Sequence, residues 1–218
     1  KTEGFVEGLA LVLDRVDTKV KWGFIDKKGN AIIWPEYEEA FSFCEGFAAV
    51  RNRQKKWGYI NKSGKVVIPF KYDKAFSFHD GLAAVKSGDS WGFIKKDGTY
   101  QVYPKYVEVR NFSENLAPAM FGWQWGFVDT AGQTIIKARY DECTAFSEGF
   151  ATVRTDFGKR YWVYVDHKGK IMFEANFQKA FPFYEGLARV KFNDKWGYLN
   201  TEGTYQINNF ANTQYGSM

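Results

Sequence analysis

Short stretches in which apolar residues alternate with polar ones, each closed by a turn signal, run through the whole chain. In "WGFID" the alternation puts Trp22 and Phe24 on one face and Gly23 and Ile25 on the other. This is the period of a strand, and because both faces are apolar both are expected to be covered. The segments that follow such strands, "DKKG", "NKSG", "KKDG", "DTAG", "DHKG" and "NTEG", read as hairpin turns. In five of the six, Asp or Asn stands first, where its side chain can bond its own backbone. The last positions, Gly29, Gly64, Gly98, Gly132, Gly169 and Gly203, supply the positive φ. Next comes an aliphatic strand, "AIIWP", "VVIPF" or "YQVYP", in which Pro35, Pro69 and Pro104 are expected to end pairing or to mark an edge. "YDKAFSF" alternates well enough for a further short strand.

These elements recur on a fixed period. Trp22, Trp57, Trp91, Trp125, Trp162 and Trp196 are spaced by 35, 34, 34, 37 and 34 residues, the mark of a repeat architecture. A second phrase keeps step: "EGLA" at 7–10, "EGFA" at 45–48, "DGLA" at 80–83, "ENLA" at 114–117, "EGFA" at 148–151 and "EGLA" at 185–188. Asn115 is the one substitution of its glycine, by a residue that tolerates the left-handed region, so a turn is predicted there. Tryptophan followed by glycine reads as a packing device. The ring buries a large apolar area, and the bare residue leaves a flat spot where a neighbouring strand or ring can lie close.

"KWGFIDKKG" together with "EGFAAV" and "YDKAFSF" resembles the WG, or KWG, β-repeat family, common in bacteria, from Phe5 to about Phe210. The resemblance implies a β-strand repeat module mostly of unassigned function, with no catalytic residues to carry over. The chain departs from the pattern at Val163 in place of glycine, at Lys95 in place of the turn Asp, at Pro118 inside a strand, and in the longer fifth unit through "RTDFGKRYW". The expected fold is all-β: a single repeat domain over residues 1–218, with units at approximately 5–42, 43–77, 78–111, 112–145, 146–182 and 183–218. A repeat of about 34 residues is shorter than the roughly 40–45 of common propeller blades, so an open curved array of hairpins is favoured, with a six-bladed ring as the alternative.

Composition adds modest constraints. The chain has 218 residues, 19% of them aromatic, and no apolar run long enough for a membrane span. A formal charge of +5 would favour an anionic partner without requiring one, and no nucleic-acid partner is read from it. Cys44 and Cys143 fall in different columns of the repeat, which argues for free buried thiols rather than a disulfide. The chain starts at Lys1, consistent with a removed leader or a trimmed chain, and an exported location is favoured over a cytoplasmic one.

The sequence offers little for catalysis. His79 and His167 stand in different columns, both in expected turns, and form neither a metal site nor a triad. No glycine loop opens a helix to cradle phosphate, so no cofactor and no enzyme activity are expected. The acidic column Glu7, Glu45, Asp80, Glu114, Glu148 and Glu185 is complete, but an acid before a turn glycine is better explained by backbone hydrogen bonds or a basic neighbour. A partly basic column, Arg51, Lys86, Arg154 and Lys191, is expected to pair with acids or to line a ligand track. Repeats keep scaffold in matching columns and specificity where units differ. The candidate partner-binding residues are therefore Trp34, Tyr103, Arg110, Trp123, Phe157, Lys159, Arg160 and Tyr161. The function that follows is a non-catalytic scaffold for a protein or peptide partner, with a carbohydrate-binding protein of the bacterial envelope as the alternative.

Overall fold

A computed structural model describes residues 2–16, 19–155, 161–173 and 176–208. Among them every regular element is a β-strand, and each sheet is an antiparallel meander of three or four strands in chain order. Two compact units are formed, Lys1–Phe112 and Ser113–Met218. In the first unit the sheets run through residues 2–37, 39–72 and 74–106. In the second, strands Leu116–Phe121, Gln124–Asp129 and Thr134–Tyr140 form one meander, and two further sheets follow within residues 142–165 and 179–208. The "AFSF" segment opens the sheet of the repeat that comes after it: Lys74–His79 pairs with Leu82–Ser87.

Sheets stack face to face within each unit, which is why the tryptophan strands are apolar on both sides. Trp57, Tyr59, Ile68 and Tyr72 of one sheet pack against Phe78, Ala83, Val85 and Ile94 of the next. Ile60, on the opposite side of the same strand, joins Phe24 and Ile33 of the preceding sheet. One ring pair recurs at each step, Phe24–Phe43, Tyr59–Phe78, Phe93–Phe112, Phe127–Phe146 and Tyr164–Phe183, with centroids 4.7–5.1 Å apart in edge or tilted geometry. The first phenylalanine of "AFSF" behaves differently, because Phe41 and Phe76 stack on Trp57 and Trp91 of their own sheets. Trp57, Trp91 and Trp125 are buried as expected of scaffold, Trp22 and Trp162 are partly so, and Trp196 is 40% exposed.

The glycine after tryptophan has a specific cause. A Cβ on Gly23, Gly58, Gly92 or Gly126 would lie 2.5–2.7 Å from a carbonyl oxygen of the adjacent strand, closer than real Cβ atoms come. That strand bulges there: Trp22 pairs with Tyr37 and Phe24 with Ile33, so the extra residues arch over Gly23. Pro35 and Pro104 sit inside such bulges, and pairing resumes beyond them at Tyr37 and Tyr106. The prolines therefore mark the arch rather than the end of a strand, because a residue lifted out of the ladder needs no N–H. In the fifth repeat Val163 replaces the glycine and its sheet has three strands; the next segment is held by the isolated bridges Val165–Ile171 and Trp162–Phe177. Pro118 lies buried in strand Leu116–Phe121 and pairs in register with Phe127.

The turns follow the sequence reading. Asp26 Oδ1 accepts the N–H groups of Lys28 and Asn30 at 2.8 and 2.9 Å, and Asn61, Asp129, Asp166 and Asn200 repeat the motif. Where Lys95 replaces the acid, Asp97 accepts the Thr99 N–H instead.

Candidate functional site

The acidic column is a structural ladder. Glu7, Glu45 and Glu114 accept the N–H of Gly46, Gly81 and Gly149, the turn glycine of the following repeat, each at 3.1 Å through Oε2. Glu148 accepts that of Gly186 at 2.9 Å. These acids themselves adopt φ of 51–55°, so two successive left-handed residues make the tight turn that aims each carboxylate at the next one. A second donor completes three of the rungs: Lys62 on Glu7 and Lys96 on Glu45, both at 3.0 Å, and His167 Nε2 on Glu114 at 2.8 Å. Burial pushes the Glu7 carboxyl up, but the Lys62 and Gly46 donors outweigh it and hold the group below its ordinary range. His167 stands at the turn position that lysine fills elsewhere and stacks on Phe146 at 4.4 Å, so the His–Glu pair takes the place of a Lys–Glu rung. His79 ends strand Lys74–His79 instead of lying in the turn.

Three members of the basic column pair with other acids than these. Arg51 binds Glu39 and Arg154 binds Glu142, both at 2.7 Å, across the two-residue strands that open their sheets, and Lys191 binds Asp194 at 3.0 Å. Neither Cys44 nor Cys143 is in a disulfide, Cys143 being buried and Cys44 partly so; burial pushes the Cys44 thiol up, with Glu45 and Glu7 adding to it. No group of three metal-ligating side chains occurs among the described residues, and no helix there is long and apolar enough to cross a membrane.

The candidate binding residues are distributed over different kinds of element. Trp34 and Tyr103 occupy the same column, on the bulges of two sheets of the first unit, and are 76% and 73% exposed. Pro69 fills that column between them. The arch over Gly23 and Gly92 explains this exposure, since it turns one side chain of each bulge away from the stacked sheets. Trp123 is 91% exposed in the second unit, at the tip of the hairpin joining Leu116–Phe121 to Gln124–Asp129, beside Gly122 with its φ of 63°. Arg110 is exposed and stands in the column where Phe41 and Phe76 cover their tryptophans, an alignment the sequence reading missed. Tyr161 opens a strand and is half-buried opposite Thr155, while Phe157, Lys159 and Arg160 lie outside the described residues.

One concave feature escaped the sequence entirely. A cavity of about 340 Å³ in the second unit is lined by Met172, Phe173, Phe177, Leu199, Glu202, Gly203 and Tyr205. Met172, Phe173 and Phe177 belong to the segment held by the isolated bridges Val165–Ile171 and Trp162–Phe177. The Tyr205 hydroxyl there is buried with no hydrogen-bond partner among the described residues, and burial raises its pKa.

The fold and the ladder define an all-β tandem-repeat scaffold. The WG containing repeat model matches residues 22–55, 57–90, 91–122, 125–159 and 162–196, and the chain belongs to that family. No curated protein matches the chain. Among solved structures it is similar to BamB from Moraxella catarrhalis, at 12% identity and TM-score 0.50, over 93% of this chain and 70% of that one. AztD from Citrobacter koseri gives 13% and 0.53 over 95% and 70%, and Hsv2 from Kluyveromyces lactis 8% and 0.52 over 89% and 71%. At such identities the likeness is one of propeller-like β-repeat fold alone.

Proposed function

We propose that the chain is a non-catalytic repeat scaffold that binds a protein or peptide partner through aromatic side chains set on its bulges and hairpin tips. The observation that carries this is the contrast between two populations of aromatics. Most of the repeated rings are consumed by packing, whereas Trp34, Tyr103 and Trp123 stand out on bulges and a hairpin tip flanked by paired strand residues. Exposed aromatic side chains on rigid elements are effective anchors, because little conformational freedom is lost on binding. The absence of catalysis is supported by the commitment of the column acids to backbone amides and basic neighbours.

The test is a pull-down from lysate and envelope fractions of the source cell on immobilised protein, with Trp123→Ala and Trp34→Ala/Tyr103→Ala run beside wild type. A band kept by wild type and lost by either variant is expected; a band kept equally by all three would remove these rings from the site. A second reading, glycan binding, draws on the shared column of Trp34 and Tyr103, and a glycan array silent at millimolar ligand would dismiss it.

A further inference from the structure

The bulge residues of the first unit make an exposed row across its three sheets. Trp34, Pro69 and Tyr103 take the same position in strands Ala31–Tyr37, Val66–Tyr72 and Tyr100–Tyr106, and all three are exposed. Successive strands of this set touch, with ring centroids 6.4 Å apart for Tyr37 and Phe70 and 6.3 Å apart for Tyr72 and Tyr100. Tyr103 rests on Tyr100 at 5.0 Å, which restrains its ring. Two residues further along each strand, Glu36, Lys71 and Lys105 make a second exposed row. The Nζ atoms of Lys71 and Lys105 each stand 5.2 Å from the centroid of the neighbouring tyrosine, so the row is basic at its second and third positions.

Each of these strands is the edge of its sheet, where an extended peptide would ordinarily add by backbone pairing. The bulges, and the missing N–H groups of Pro35, Pro69 and Pro104, deny such a ladder. A peptide on this row must therefore hold its own backbone shape and bind through side chains. The polyproline II helix does so without internal hydrogen bonds. It rises about 3.1 Å per residue, so every third residue recurs after about 9 Å, close to the roughly 10 Å between stacked sheets.

We propose that Trp34, Pro69 and Tyr103 form a docking row for a proline-rich peptide in the polyproline II conformation, with every third residue on one of the three side chains. The proposal rests on the reading of the chain as a peptide-binding scaffold and names the ligand class. Trp34 and Tyr103 offer aromatic faces to proline rings, and Pro69 is an apolar step between them. Lys71 and Lys105 favour acidic residues beside the prolines.

The test is the fluorescence anisotropy of a fluorescein-labelled dodecaproline ending in three aspartates, titrated with the whole chain up to millimolar concentration. Wild type should bind it, and a glycine–serine peptide of the same length and ending should not bind. Trp34→Ala and Tyr103→Ala should each weaken binding by roughly tenfold or more with little change in melting, while Trp123→Ala, in the other unit, should bind like wild type. Lys71→Glu/Lys105→Glu should weaken it more at low than at high salt. A silent titration, equal binding of the glycine–serine peptide, or equal binding by Trp34→Ala/Tyr103→Ala overturns the proposal. The pull-down separates the two readings: a band lost in that double variant while dodecaproline stays silent rejects the ligand class and leaves the scaffold, whereas a band the variant keeps rejects both.

Discussion

Gly92 gives the sharpest test of why the repeat pairs tryptophan with glycine. An alanine Cβ there would stand 2.5 Å from the Val102 oxygen and 2.7 Å from the Pro104 nitrogen, all backbone, so the strand must retreat by about 0.9 Å to reach ordinary contact. If the sheet absorbs the shift, overpacking costs about 1–3 kcal/mol. If strand Tyr100–Tyr106 detaches instead, the fully buried Val102 and Tyr106 are exposed at roughly 1.5–3 kcal/mol each, or about 3–6 kcal/mol together. The cheaper route prevails for Gly92→Ala, with an expected loss of about 2 kcal/mol. Gly92→Val should approach the second figure and reproduce the state of the fifth repeat. Urea unfolding reads the total, and amide hydrogen exchange reads the location: faster exchange across residues 100–106 with Leu82–Ser87 still protected. Gly88→Ala is the control, because its Cβ meets open space and only its φ of 60° is penalised, at about 1–2 kcal/mol, with no change over residues 100–106. Wild-type exchange across that strand in Gly92→Val would refute the reasoning.

The ladder predicts an acid-sensitive component of stability. The folded pKa of Glu7 is depressed, so its contribution is complete above the unfolded value of 4.5 and is lost as pH falls through the folded one. Glu7→Gln should flatten the melting temperature against pH below about 4.5, and an unchanged slope would show that the rung contributes nothing there. Trp57→Ala should destabilise by about 3–5 kcal/mol, whereas Trp196→Ala, 40% exposed under Arg189, should cost less than half as much in the same denaturation assay; equal losses would contradict the stacked-sheet account.

Local chemistry was legible because it repeats. The strand period of "WGFID", the side-chain acceptors of the Asp and Asn turns, and the left-handed glycines and Asn115 depend on neighbours in the chain, and each stands as its residues dictate. The bulge was half-legible: the flat spot at Gly23 could be inferred, but the arched strand over it, and with it the exposure of Trp34 and Tyr103, arises from register between strands. The ladder needed the tertiary structure outright. Glu7 and Gly46 are 39 residues apart, and only stacking of one sheet on the next brings a carboxylate to that amide. The column of acids was visible in one dimension; its use as mortar between repeats follows from which faces the stacking covers.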